Sequence, residues 1–147
     1  MNKSTWIAVL SILVAMPASA DTAEELDQWF RDGYAALYFE NSWDRADEFR
    51  QYFADEIVYR SDDGVAVSDV NGFVIDSLDV WREEGWLGTD VVSLDTKLLN
   101  ATTAVFDIHW RDRNDDGSTE DTCGWYVADK IDGKWLLSQY IATPCAD

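Results

Sequence analysis

The amino-acid sequence predicts an α+β fold in which three helices pack on one face of an antiparallel sheet. Apolar residues recur at helical spacing three times in the first half of the chain. Four β-rich runs separated by short turns fill the second half. The 147 residues suit a single domain.

Three stretches carry the helical pattern. The first helix is predicted over residues 23–40, because Thr22 and Glu25 form a capping box and aromatic residues then recur on one face. Ser42 is the candidate N-cap of a second, shorter helix. A third helix is predicted over residues 71–84, with Gly85 as its C-terminal cap.

The strands are predicted from β-rich runs and from the turns between them. A small hairpin lies within residues 56–68, with its turn at Asp63-Gly64, and the Asp132-Gly133 pair is a strong hairpin signal. The four long strands are expected at residues 91–99, 102–111, 119–130 and 134–142.

The first twenty residues predict an export signal. Lys3 precedes an apolar run, and Ala18-Ser19-Ala20 is a small-residue cleavage site, so the single domain would cover residues 21–147. We therefore expect a periplasmic or secreted protein; an uncleaved anchor is the alternative. Export permits a disulfide between Cys123 and Cys145. Without that bond, one cysteine would be a buried strand thiol and the other a loose thiol near the C-terminus.

The charge of the chain limits its partners. The formal net charge is −18, which repels phosphate backbones and anionic lipid headgroups. We expect no nucleic-acid partner and no membrane association after signal cleavage. There is no Cys/His spacing typical of a zinc site, and we expect neither a metal nor a cofactor. Hydrophobic residues form 47% of the chain, enough for a packed core.

The order of these elements, with 53-FADEIVY-59 and 130-KIDGKWLLS-138, resembles the nuclear transport factor 2-like superfamily. That superfamily includes the SnoaL-like polyketide cyclases and ketosteroid isomerase. The resemblance implies a cystatin-like cone, in which a curved sheet wraps around the long N-terminal helix and encloses an apolar pocket. Members of the superfamily use the pocket to isomerise, cyclise, dehydrate or hydrolyse small molecules, or only to bind them. The outer sheet face often forms a homodimer.

Strand alternation predicts which residues face the pocket. We assume a four-residue loop at 114–117, so that Arg113 pairs with Ser118, and a two-residue turn at Asp132-Gly133. Cys123 and Ser138 then also face inward, and one β-bulge would reverse part of the set. Aromatic residues at strand spacing can equally form a solid core, and a buried tyrosine can simply bond to the backbone. The predicted ligand-binding residues are Tyr34, Tyr59, Phe106, Ile108, Trp110, Asp121, Trp125 and Tyr140.

No catalytic residue is assigned. His109, with Asp107 and Arg111, is expected on the outer sheet face, and would be the best acid–base group if the register were wrong. A comparison with ketosteroid isomerase leaves Asp62 as a possible base, although Asp62-Asp63-Gly64 is more simply a turn. The main functional hypothesis is a binding domain for a small hydrophobic molecule. The alternatives are a lyase, isomerase or hydrolase that uses a pocket carboxylate, and a non-catalytic module that dimerises through the outer face.

The stretch 112-DRNDDGSTED-121 begins like a calcium loop of the D-x-[DN]-x-[DN]-G type. An EF-hand needs flanking helices and a bidentate glutamate at its twelfth position, where this chain has Cys123. The neighbouring runs are predicted strands, so we interpret the stretch as a hairpin.

Overall fold

A computed structural model describes residues 21–39 and 42–146 of the chain. The predicted signal at residues 1–20 lies outside these ranges, as do residues 40, 41 and 147. No helix among the described residues is long and apolar enough to cross a membrane.

Three helices form, as predicted. Helix α1 runs over Ala23–Gln28 and continues as a π-helical turn, Trp29–Tyr34, and a 3₁₀ turn, Ala35–Leu37. Both bonds of its capping box form, since Glu25 N donates to Thr22 Oγ1 at 3.1 Å and Thr22 N donates to Glu25 Oε2 at 2.8 Å.

The other two helices also begin with an irregular turn. Helix α2 is a 3₁₀ turn, Ser42–Arg45, followed by Ala46–Arg50. The Ser42 hydroxyl is buried and accepts a hydrogen bond from Phe39 N at 2.8 Å. This bond links the end of the first helix to the start of the second. Helix α3 is a π-helical turn, Asn71–Ile75, followed by Asp76–Glu83. Gly85 follows with φ of 92°, the left-handed conformation expected after a helix.

Six strands form one curved sheet in the order β2-β1-β6-β5-β4-β3. The α+β cone predicted from the sequence is therefore confirmed. One pair departs from a purely antiparallel sheet, because β1 lies parallel to β6. That pair joins strands far apart in sequence, so no turn signal announces it. The strands are β1 (Phe53–Ser61), β2 (Gly64–Ser68), β3 (Trp86–Asn100), β4 (Thr103–Asn114), β5 (Thr119–Ile131) and β6 (Lys134–Thr143).

The predicted register between β4 and β5 is wrong by one residue. Arg113 pairs with Thr119 instead of Ser118, and Asn114 N donates to Ser118 O at 3.0 Å. The loop therefore has three residues, 115–117, and Gly117 takes a φ of 82°. This is the three-residue hairpin whose last position is left-handed, a geometry that glycine adopts without strain.

The hairpin between β5 and β6 has the predicted two-residue turn, since Ile131 pairs with Lys134. Asp132 and Gly133 have φ of 49° and 79°, which is typical of a type I′ turn. A bulge between Val127 and Ala128 then shifts the pairing by one residue. Consequently the predicted pairs Trp125–Tyr140 and Val127–Ser138 do not form, and Tyr126 pairs with Tyr140 instead.

The core lies between α1 and the inner sheet face. Phe30 stacks on Phe106 with ring centroids 4.7 Å apart, and Ile57, Leu78, Ile108 and Leu137 belong to the same core cluster at 1% exposure or less. These rings fill one end of the cone. The other end, towards α3 and the β4–β5 hairpin, stays open.

The predicted disulfide joins Cys123 and Cys145 with Cα atoms 5.1 Å apart. It ties the segment after β6 to the outer face of β5.

Candidate functional site

A cavity of about 410 Å³ occupies the open end of the cone. Tyr38 from the end of α1 and Tyr59 from β1 contribute to its wall, as do residues of α3 and of β3 to β6. Eight of the fifteen lining side chains are aromatic. They are Tyr38, Tyr59, Phe73, Val74, Trp81, Glu84, Trp86, Thr89, Trp110, Asp112, Asn114, Glu120, Thr122, Tyr126 and Tyr140.

The floor of the cavity is a hydrogen-bonded chain of three tyrosines. The Tyr34 hydroxyl lies 2.6 Å from that of Tyr38 and 3.0 Å from that of Tyr126. Burial raises the pKa of all three phenols. The phenols therefore stay protonated at neutral pH, where Tyr38 and Tyr126 can offer polar groups to a ligand from an otherwise apolar floor.

One wall is built around Tyr140, whose ring lies 4.7 Å from Tyr126 and stacks 5.8 Å from Tyr59, measured between centroids. Gly124 makes this position available, because a Cβ there would lie 2.6 Å from three atoms of the Tyr140 side chain. The Tyr140 hydroxyl donates to Cys123 O at 3.3 Å. Burial raises the pKa of Tyr140 to about 12.

The opposite end holds the polar groups. The Asp112 carboxylate accepts a short bond from the Thr89 hydroxyl, and Trp86 Nε1 donates to Thr89 Oγ1 at 3.1 Å. Asp112 faces Glu120 directly across the β4–β5 ladder. Protonated phenols at one end and a carboxylate acceptor at the other could fix the orientation of a bound molecule.

The hairpin loop supports this end of the cavity. Asp115 N donates to Gly85 O at 2.8 Å, which joins the loop to the C-terminal end of α3. Trp86 follows directly, and its indole packs 5.8 Å from Trp81 between ring centroids. The hairpin that resembled a calcium loop is therefore part of the pocket rim.

The structure brings three of the predicted ligand-binding residues to the cavity wall: Tyr59, Trp110 and Tyr140. The other three inward residues lie beneath it. Phe106 and Ile108 belong to the packed core, and Tyr34 is fully buried behind Tyr38 and Tyr126, bonded to other phenols and not to the backbone.

Asp121 and Trp125 lie on the outer sheet face. The prediction placed them inside because its β4–β5 register was wrong by one residue, which reverses the two faces of β5. Cys123 shares that face, and Trp125 is 46% exposed. Asp121 binds Arg111 through two bonds of 2.7 and 2.8 Å. The adjacent Arg111 guanidinium holds the pKa of Asp121 well below its usual range.

His109 is on the outer face as expected, since it pairs with Cys123 between the buried residues Ile108 and Trp110. Its Nε2 lies 3.0 Å from Asp121 Oδ2 but off the line of a hydrogen bond. Within the described ranges, His109, Cys123 and Cys145 are the one group of three potential metal ligands in proximity. Both sulfurs are in the disulfide, so neither is a thiolate that could bind a metal.

Several lining residues were missed by the sequence analysis. Glu120, Thr122 and Tyr126 line the cavity. The predicted four-residue loop puts them on the outer face of β5 instead, because it is one residue too long. The signal that could have found them is Asp115-Asp116-Gly117, which suits a three-residue loop with glycine in the left-handed position. Trp86 and Thr89 were missed because β3 begins five residues before the predicted start at Val91.

The sequence and the fold were compared with known proteins. A search of curated protein sequences gave no match. Among solved structures, the association domain of CaMKII from C. elegans aligns with a TM-score of 0.60 and 10% identity, covering 82% of this chain and 94% of its own. A candidate polyketide cyclase from Xanthomonas campestris aligns with a TM-score of 0.54 and 11% identity, covering 82% of this chain and 91% of its own.

A third similar structure is a domain with a cystatin-like fold from Nostoc punctiforme, with a TM-score of 0.61 and 17% identity. That alignment covers 89% of this chain and 81% of the Nostoc chain. At these identities the similarities show a common fold and no common activity. The model of a single protein family matches residues 23–145, nearly the whole described chain. The chain therefore belongs to the NTF2-like protein family DUF6841.

Proposed function

We propose that this protein binds a small molecule with an apolar body in the open end of its cone. The observation that carries the proposal is the cavity of about 410 Å³, which is in the range of ligand sites. Its aromatic walls and its two polar ends, the tyrosine floor and Asp112, follow the usual design of such a site.

The test uses a neutral fluorescent probe, N-phenyl-1-naphthylamine, and two tryptophan substitutions on one strand. Thr122 lines the cavity, whereas Thr119 lies on the outer face of β5. Thr122→Trp should fill the cavity and abolish the fluorescence enhancement, and Thr119→Trp should leave it unchanged. Equal probe binding by the wild type and both variants would place the apolar site elsewhere and refute the proposal.

We also propose that residues 1–20 are an export signal and that the mature protein acts in the periplasm or outside the cell. The Cys123–Cys145 disulfide supports an oxidising compartment. The mass of the protein recovered after expression of the full chain in a bacterium should correspond to a start at Asp21. Recovery of the uncleaved chain with reduced cysteines would refute the proposal.

A second candidate function is self-association through the outer sheet face, which carries an apolar stripe of cross-strand neighbours. Val65 and Val67 are 62% and 63% exposed. Large apolar groups exposed together are typical of a protein interface. The stripe consists of Val58, Val65, Val67, Trp125 and Ile141, and is interrupted by Arg60 between Val65 and Ile141 and by Gln139 beside Val58.

Sedimentation equilibrium in about 0.5 M salt, which screens the acidic surfaces, should give the mass of a dimer. Val67→Glu should give a monomer. Leu99→Glu is the matched control, because Leu99 is 60% exposed near the β3–β4 turn and outside the stripe. A monomeric wild type would refute dimerisation.

The catalytic alternative, a lyase, isomerase or hydrolase, would use Asp112 as its base, since Asp112 is in the pocket and His109 is outside it. Proton abstraction next to a carbonyl can be followed as deuterium exchange into acetophenone by NMR. Catalysis predicts exchange that Asp112→Asn abolishes. Exchange no faster than in buffer would remove support for a base in the pocket.

A further inference from the structure

The charged groups of the cavity all have one sign. Glu84, Asp112 and Glu120 line the cavity, and none of its described lining residues is Lys, Arg or His. The arginines of β4 are directed elsewhere, Arg111 to Asp121 at 2.7 Å and Arg113 to Asp90 at 2.8 Å. The arginines of β4 therefore do not neutralise these carboxylates.

Two of the carboxylates oppose each other. Asp112 and Glu120 are direct cross-strand partners on the inner face, a placement in which like charges destabilise a sheet. Among the ion pairs of the described residues, none includes Glu84, Asp112 or Glu120. Glu84 is also the C-cap of α3, next to the negative end of the helix dipole. A cation in the cavity would relieve both repulsions.

The aromatic walls favour an organic cation over a metal ion. Ring faces attract an ammonium group through the negative charge above the ring, and indoles do so most strongly. Trp86 and Trp110 share the cavity with Asp112, and Trp81 packs against Trp86. The described residues bring no trio of His, Cys, Asp and Glu side chains together here that could hold a metal.

We propose that the cavity takes an organic cation, a quaternary ammonium or a protonated amine, with its charged group at Asp112 and Glu120 and its apolar body against Tyr59, Tyr126 and Tyr140. This inference rests on the proposed function, because it specifies the chemistry of the ligand for the same pocket. The net charge of −18 would also raise the local concentration of cations at the acidic cleft.

Three probes of similar shape test the proposal by calorimetry and by displacement of N-phenyl-1-naphthylamine. They are phenyltrimethylammonium, its neutral isostere tert-butylbenzene, and the benzenesulfonate anion. The cation should bind about tenfold more tightly than the isostere, and the anion least tightly. Asp112→Asn and Glu120→Gln should each weaken cation binding several-fold and weaken tert-butylbenzene binding much less.

Asp107→Asn is the control, because Asp107 is an exposed carboxylate on the outer face of the same strand. Circular dichroism of each variant should match the wild type, since the amide introduced by Asp112→Asn keeps an oxygen acceptor for the Thr89 hydroxyl. If the neutral isostere binds as tightly as the cation, the inference is overturned and the apolar site still stands. If neither these probes nor the naphthylamine binds, both proposals fail.

Discussion

Gly124→Ala is the sharpest test of the pocket wall. The added Cβ would lie 2.6 Å from the Cε2, Cζ and hydroxyl oxygen of Tyr140, closer than carbon atoms approach without displacement. Gly124 has no positive φ, so alanine fits its backbone. Any cost must therefore come from the Tyr140 ring, which cannot move freely because it packs on Tyr126 and Tyr59.

The magnitude follows from two opposing effects. Overpacking of this kind costs about 1–3 kcal/mol, whereas replacing glycine by alanine at a compatible position stabilises by about 0.4–1 kcal/mol through the unfolded state. The substitution should lower the free energy of unfolding by about 1.3 kcal/mol, the difference between the midpoints of these two ranges. It should also weaken naphthylamine binding, because Tyr140 lines the cavity.

A double-mutant cycle separates the clash from other effects. Urea unfolding is followed by tryptophan fluorescence for the wild type, Gly124→Ala, Tyr140→Ala and the double variant. Without the Tyr140 ring the added methyl group has space, so Gly124→Ala should then be neutral or stabilising. An equal cost of Gly124→Ala in both backgrounds would show that the ring does not rest on Gly124, and would refute the geometry of this wall.

Three further predictions concern stability. Raising the pH above about 10, the ordinary pKa of tyrosine, should lower the free energy of unfolding. The reason is that the pKa values of four tyrosines are raised in the folded protein, so these phenols lose their protons first in the unfolded chain. They are Tyr34, Tyr38, Tyr126 and Tyr140. Urea midpoints at pH 8 to 11 with 295 nm absorbance measure this, and a flat profile would contradict it. Tyr34→Phe should lower the free energy of unfolding by about 1–3 kcal/mol, because it leaves the buried hydroxyls of Tyr38 and Tyr126 without their partner. Tyr59→Phe, at the cavity wall, should lower it little. Similar losses in urea unfolding would argue against the tyrosine chain. Cys145→Ser should cost about 3 kcal/mol for a loop of this length, and the wild type in reductant should lose the same amount; insensitivity to reductant would contradict the bond between Cys123 and Cys145.

Features set by local chemistry could be predicted from the sequence. The capping box at Thr22 and the type I′ turn at Asp132-Gly133 involve only neighbouring residues, and both form as expected. The parallel pairing of β1 with β6 depends on the path of the whole chain, and no local pattern indicates it. The predicted start of β3 lies too far along the chain because the pairing of β3 shifts between Trp86 and Gly88 and again between Val91 and Ser93. These shifts interrupt the period-two pattern of the strand.

Strand alternation is a reliable guide to the inward face where it is undisturbed. Tyr140 reaches the cavity as predicted because the one-residue error in β5 and the bulge in the β5–β6 pairing offset each other. Trp110 was placed correctly because β4 alternates without interruption between buried and outward residues. The predicted face of β5 depended on the loop length, and beyond Val127 the pairing of β6 depended on a bulge. Hydrophobic periodicity shows neither the loop length nor the bulge. Each adds or removes one residue, which reverses the face of every later side chain.

Three separate features fix the register of β5, and together they decide the chemistry of the pocket. Gly117 closes a three-residue loop, Gly124 leaves room for the Tyr140 ring, and Cys123 reaches Cys145 only from the outer face. A slip of one residue would place Trp125 or Cys123 where Tyr140 requires glycine. Because the three constraints agree, Glu120 is directed to Asp112 inside the cavity while Asp121 pairs with Arg111 outside it. Within 112-DRNDDGSTED-121, Arg113 and Asp121 therefore form ion pairs outside the cavity. Asp112 and Glu120 face the cavity, where no described Lys, Arg or His side chain lines the wall.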